Sequence, residues 1–156
     1  MEFFGKNIDS EFEVILTNVI NLFLIPKFKE LGMPASGEWE ENIEAKENEI
    51  LGRNYTEYLT KGRPPNESQN PDDVTRFARW AGATFIGKWV EDKGLDLNPY
   101  AVAYTIARRG TKRYPEGSDL LEVLETPEVR DYINTELSKI LTDRFLLNVN
   151  IGQILK

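Results

Sequence analysis

Residues 35–65, ASGEWEENIEAKENEILGRNYTEYLTKGRPP, decide how this chain reads. A small-residue stop, Pro34-Ala35-Ser36-Gly37, precedes Trp39, and Ile43, Ala45, Ile50 and Leu51 follow at the spacing of a short strand pair. Asn48 falls where a tight reversal divides Trp39–Lys46 from Glu49–Leu59, so the stretch predicts a β-hairpin over 38–60, with helix the alternative because glutamate-rich stretches are weak strand formers. Tyr55 and Tyr58 then lead into Gly62-Arg63-Pro64-Pro65, which opens a loop over 61–70. Its adjacent prolines hold the backbone extended and remove two donors from any ladder. The stretch is a plan for a rigid strand pair and a projecting loop. It points toward assembly.

Helices flank it on both sides. Ser10 and Glu13 spell a capping box, and Phe12, Ile15, Leu16, Val19, Ile20 and Phe23 recur along one helical face. This predicts a core-facing helix over 10–31 that Pro26 kinks or ends and that stops at Gly32. Asn70-Pro71-Asp72-Asp73 and Asn98-Pro99 each place a capping amide before a proline at the first helical position, predicting helices over 71–93 and 99–109. Gly82 and Gly87 predict a break near Gly82, or a close approach by another backbone.

Thr126-Pro127 opens a last helix over 127–144, marked by Val129, Ile133, Leu137, Ile140 and Leu141. Beyond it Leu147, Val149 and Ile151 alternate with Asn148 and Asn150, which predicts a terminal strand over 145–156. Such a strand can complete its own sheet or a neighbour's. The expected fold is a single α+β domain over 1–156. It has a small antiparallel β-sheet packed against several α-helices, with long N-terminal and C-terminal helices.

The chain has 156 residues with no cysteine and no histidine. That removes disulfides, thiol nucleophiles, the usual zinc ligand sets and the commonest general base near neutral pH. Glu38, Glu40, Glu41, Glu44, Glu47 and Glu49 form an acidic run without the glycine-centred loop of a calcium site, and Asp72 and Asp73 read as first-turn acids. Gly62-Arg63-Pro64-Pro65 lacks the glycines and the Gly-Lys-Ser/Thr of a phosphate loop. No enzyme, cofactor or metal is expected.

A net charge of −7 argues against a dedicated nucleic-acid binder. The charge is uneven, because Arg108, Arg109, Lys112 and Arg113 cluster against that acidic run. Opposed patches on one chain can meet head to tail between copies. No stretch approaches the ~20 apolar residues of a membrane span, and the acidic N-terminus is unlike a signal peptide, so a cytosolic origin without a membrane is expected.

Several pieces resemble the tail-completion (neck, minor tail) proteins of tailed bacteriophages, in the form common in Bacteroidetes prophages. Ser36-Gly37-Glu38-Trp39-Glu40-Glu41-Asn42-Ile43 is similar to that family's Thr/Ser-Gly-x-Leu-x-x-Ser-Ile entry to a strand, with Trp39 and Asn42 in place of leucine and serine. Tyr55-Thr56-Glu57-Tyr58-Leu59-Thr60-Lys61-Gly62-Arg63-Pro64-Pro65 resembles its Tyr-x-x-Tyr-x-x-x-Gly-Arg-x-Pro element. Trp89 to Gly94 matches a Trp-x-x-x-Lys-Gly helix end, and Ala101–Ala107 with Gly110-Thr111 matches an alanine-rich helix running into Gly-Thr. The likeness spans roughly Ile8 to Leu124; the segment after Pro127 exceeds the pattern.

The resemblance implies a non-catalytic virion structural protein, a head–tail connector or portal adaptor. Its copies would form a ring joining portal to tail, alongside other neck or tail proteins, with the genome DNA passing nearby. Tyr58, Gly62, Arg63, Pro64, Pro65, Arg108, Arg109, Lys112 and Arg113 are the expected contacts with neighbouring subunits or the portal. The alternative is an intracellular protein–protein interaction module using Trp80, Trp89 and the face of the helix over 127–144.

Overall fold

The computed structural model describes residues 2–3, 6–53 and 55–154, with side chains for 8–53 and 55–146. In chain order the elements are β1 (Glu2–Phe3), β2 (Lys6–Asn7), α1 (Ile8–Val19), a π-helical turn (Ile20–Leu24), α2 (Ile25–Glu30), α3 (Glu38–Asn42), β3 (Glu44–Lys46) and β4 (Glu49–Leu51). They continue with α4 (Thr56–Lys61), α5 (Pro71–Ala83), α6 (Phe85–Asp92), α7 (Pro99–Arg109), a 3-10 turn (Glu122–Glu125) and α8 (Pro127–Ile154). The chain is mostly helical, with long N-terminal and C-terminal helices and small antiparallel strand pairs, β1–β2 and β3–β4. Among the described residues no helix is long and apolar enough to cross a membrane.

The hairpin is shorter than 38–60. Its reversal is at the expected place, with Lys46 opposite Glu49 and Glu44 opposite Leu51, and Glu47 adopts the positive φ of 55°. Residues on both sides are helical instead of extended, as α3 and α4. Glu38, Glu40 and Glu41 are weak strand formers and favour the positive end of α3, where the Glu41 N–H donates to the Gly37 carbonyl.

The expected strand over 145–156 is also helical where described, because α8 runs unbroken to Ile154. No glycine or proline interrupts it between Pro127 and Gly152, and extending an existing helix is easier than starting a strand without a partner. At the other terminus, α1 begins at Ile8, so Ser10 lies inside its first turn. The Glu13 carboxylate, expected to complete a capping box, accepts from the Glu47 N–H of the hairpin at 3.3 Å. Pro26 does not end the helix. The chain absorbs its missing donor in the preceding π turn, where the Ile25 N–H bonds back five residues to the Ile20 carbonyl.

The chain divides into two compact units. Met1–Lys27, Ile43–Leu51 and Glu122–Lys156 form the first. Its core is the α1 stripe of Ile15, Leu16 and Val19 continued by Ile20 and Leu24, with Val129 of α8 also buried. The β3–β4 hairpin and α8 pack on α1. Phe23 meets Tyr132 edge-on at 5.7 Å, and Arg144 donates to Glu11 Oε2 through both Nε (3.2 Å) and Nη2 (2.6 Å).

Phe28–Asn42 and Gly52–Leu121 form the second unit. The Asn70 side chain accepts from the Asp72 N–H, and Asn98 accepts from the N–H groups of Tyr100 and Ala101, so both expected caps form. The α5–α7 contact is made close by small residues, Ala78, Ala81, Ala103 and Ala107, all fully buried. A Cβ on Gly82 would lie 3.0 Å from the Tyr100 Cα, so its glycine is a spacer for this approach. The break between α5 and α6 comes at Thr84, two residues after it. Trp39 is buried, stacks on Phe28 at 4.3 Å and donates its indole N–H to Thr56 Oγ1 at 3.0 Å.

Candidate functional site

The sequence-predicted contact residues all fall in the second unit, and the structure sorts them into two roles. The first is internal. Gly62 ends α4 with φ 75°, and a Cβ there would run into the backbone of Tyr114 and, at 2.6 Å, the carbonyl carbon of Arg113. Only glycine allows α4 to turn so close to the segment after α7. Arg63 is then tied to that segment twice, its N–H donating to Thr111 Oγ1 and its carbonyl accepting from the Thr111 N–H, each at 2.9 Å.

The Arg63 guanidinium stays home as well. It donates to Asn66 Oδ1 at 2.7 Å and lies 4.7 Å from the centre of the Phe77 ring. Burial pulls its pKa below the usual arginine value, with Tyr58 acting in the opposite direction. Arg113 donates to the Leu31 carbonyl at 3.0 Å, satisfying a helix-end acceptor. Pro64 is exposed and Pro65 half-buried, and the loop they stiffen is held by the Asn66 N–H donating to the Ala107 carbonyl at 2.9 Å. These residues brace the fold.

The second role is outward. Arg108 and Arg109 are exposed in the last turn of α7, where cations complement the helix dipole, and Lys112 is exposed in the turn that follows. Arg108 reaches the Gln69 carbonyl at 3.4 Å, while Arg109 and Lys112 make no ion pair among the described residues. With Tyr104 and Thr105, Arg108 and Arg109 line an open concavity of about 410 Å³. Tyr58 is 51% exposed on α4.

Opposite in charge are the exposed Glu41 of α3 and, in the first unit, the exposed Glu44, Glu47 and Glu49 of the hairpin. None of the four makes an ion pair among the described residues. No group of three or more acids among the described residues converges as a metal site.

An aromatic patch on the second unit was legible only in part. Trp80 is 59% exposed and meets Phe77 and Phe85 edge-on at 5.9 and 5.3 Å. The signal lay in its register. Val74, Ala78 and Ala81 mark the buried face of α5, and Trp80 sits one residue, about 100°, off it. Phe85 joins the patch only because the chain breaks at Thr84, which the sequence places near but not at that residue.

Compared with protein-family models, with curated proteins and with solved structures, the chain matches none.

Proposed function

We propose that this chain is a virion structural protein, one subunit of a neck or connector ring that joins the portal to the tail of a tailed bacteriophage. The observation carrying this reading is the reciprocal bonding of Arg63 and Thr111. Two motifs that resemble elements of tail-completion proteins, Gly-Arg-x-Pro and the Gly-Thr after the alanine-rich helix, are distant in the chain yet bonded to each other. The brace gives the α7 end a fixed position from which Arg108, Arg109 and Lys112 face outward.

The mechanism is geometric. The cationic end of α7 in one copy meets the unpaired acids of the hairpin in the next, a head-to-tail contact that closes into a ring when its rotation permits. The subunit supplies shape and charge, with no reaction of its own. Exposed Trp80 favours a second reading, an interaction module that docks another protein without forming a ring.

Negative-stain imaging and light scattering of the purified chain, with and without portal protein, test the proposal. Rings or portal-bound multimers support it. A strict monomer that also ignores portal overturns it in favour of the module.

A further inference from the structure

Helix α7 and its flanks are free of acid: no aspartate or glutamate occurs between Asp96 and Glu116, in a chain whose net charge is −7. Tyr104 and Arg108 are one helical turn apart, as are Thr105 and Arg109. The four side chains therefore form neighbouring rows on the side of α7 away from the buried Ala103 and Ala107. The concavity of about 410 Å³ between them is walled by guanidiniums and hydroxyls alone.

Most of the donors around it are uncommitted. Arg109 makes no hydrogen bond or ion pair among the described residues, and the Tyr104 phenol makes no hydrogen bond among them. Arg108 commits one N–H to the Gln69 carbonyl at 3.4 Å, well beyond the ~2.7–2.9 Å of a charge-assisted bond. Thr105 donates its hydroxyl to the Ala101 carbonyl at 2.9 Å, so it bounds the concavity without donating into it. Nor are the guanidiniums occupied in capping the helix. The Ile106 carbonyl accepts from the Gly110 N–H at 2.8 Å, and the Ala107 carbonyl accepts from the Asn66 N–H at 2.9 Å and the Gln69 amide at 3.0 Å.

Paired guanidiniums beside a free phenol suit one ligand chemistry. A phosphate-type dianion matches their charge, presents oxygens in several directions and accepts the planar guanidinium fork through parallel hydrogen bonds. A lone carboxylate brings half that charge. An orthophosphate fills only a small part of the concavity, which leaves room for an organic group esterified to it. Tyr100, 40% exposed, continues the Tyr104–Arg108 row by one more turn. Its ring lies 6.3 Å from that of Tyr104 and offers such a group an aromatic surface.

We propose that this concavity binds a phosphate-type dianion, free or carried on a small organic molecule, with Arg108 and Arg109 holding its oxygens and the Tyr104 phenol donating to it. The site goes beyond the assembly reading and does not depend on it. Where copies do assemble, the dianion and the hairpin acids of the next copy compete for the same guanidiniums.

Amide NMR of the chain titrated with sodium phosphate, and in a second arm with adenosine monophosphate, tests the site at constant ionic strength. The expected result is saturable shifts centred on Tyr104–Lys112, with a dissociation constant of about 1 mM. Arg108→Gln and Arg109→Gln should each weaken binding roughly fivefold or more, and Tyr104→Phe roughly twofold. Arg79→Gln, which removes an exposed guanidinium from α5, should leave it unchanged. Tighter binding of the nucleotide assigns the site to an esterified phosphate and equal binding to the free ion; both support the proposal. Shifts that fail to saturate by about 20 mM of either probe, or that survive both arginine substitutions, overturn it. Light scattering of the same samples reads assembly separately, so loss of the site leaves the ring reading standing.

Discussion

Arg63 and Thr111 lie forty-eight positions apart in the chain and hold each other through two 2.9 Å hydrogen bonds, one to a side chain and one to a backbone carbonyl. The pair fastens the proline-stiffened loop to the turn after α7. It fixes the base from which the exposed cations project. Thr111→Val keeps the volume but removes the acceptor, leaving a partly buried N–H unpaired. The expected loss is about 1–2 kcal/mol, read as a lower urea midpoint at unchanged slope. An unchanged midpoint would show that the pairing contributes nothing.

Gly62 and Gly32 separate two costs of a side chain at positive φ. Both are left-handed, at 75° and 64°, but a Cβ on Gly32 meets nothing within 4 Å whereas one on Gly62 strikes backbone. Gly32→Ala is expected to cost about 1 kcal/mol, the backbone term alone. Gly62→Ala is expected to cost roughly 3 kcal/mol or more, because neither strand of backbone can yield. Equal melting temperatures for the two variants would contradict the close approach.

The three tryptophans should report separately. Trp39 is 3% exposed, Trp80 59% and Trp89 37%. Trp39→Phe should remove the blue-shifted, iodide-resistant emission and lower stability by about 1–3 kcal/mol through lost packing and the lost Thr56 bond. Trp80→Phe should remove the most readily quenched component at little cost to the monomer fold. Iodide quenching that falls equally in both variants would refute this assignment.

Tyr55 gives the chain a sensitivity to alkali. Burial, reinforced by the Glu38 charge, raises its pKa above the ordinary 10.0. The folded state therefore holds this proton more tightly than the unfolded state. Its contribution is complete below about pH 10 and is lost as pH rises through the folded pKa. Melting temperature should fall less steeply above pH 10 in Tyr55→Phe than in the parent. Identical slopes would remove Tyr55 as the cause.

How much the sequence revealed depended on how local each signal was. Asn70-Pro71 and Asn98-Pro99 carry cap and first-turn geometry within three residues, and both form as read. The hairpin reversal before Asn48 is equally local. The strand lengths around it are not, because a glutamate-rich segment takes its conformation from what it packs against, here Trp39 on Phe28. Alternation over 147–151 suggested a strand, but the uninterrupted helix before it outweighed that pattern. Pro26 alone leaves open whether the helix kinks or ends, and it continues to Glu30 because a π turn upstream supplies the slack.

The candidate site divided along the same line. Exposure of Arg108 and Arg109 follows from their place at a helix end, and that of Lys112 from the turn just after it. The inward roles of Arg63 and Arg113 depend on Thr111, Phe77 and Leu31, partners whose spatial proximity no sequence spacing announces.

The most direct measurement is quantitative mass spectrometry of purified phage particles from a host that expresses this chain, with cryo-electron microscopy of the portal–tail junction. The account predicts the chain in a fixed multi-copy ratio to portal protein and as a ring at that junction. Infectious particles that lack it altogether would contradict the account.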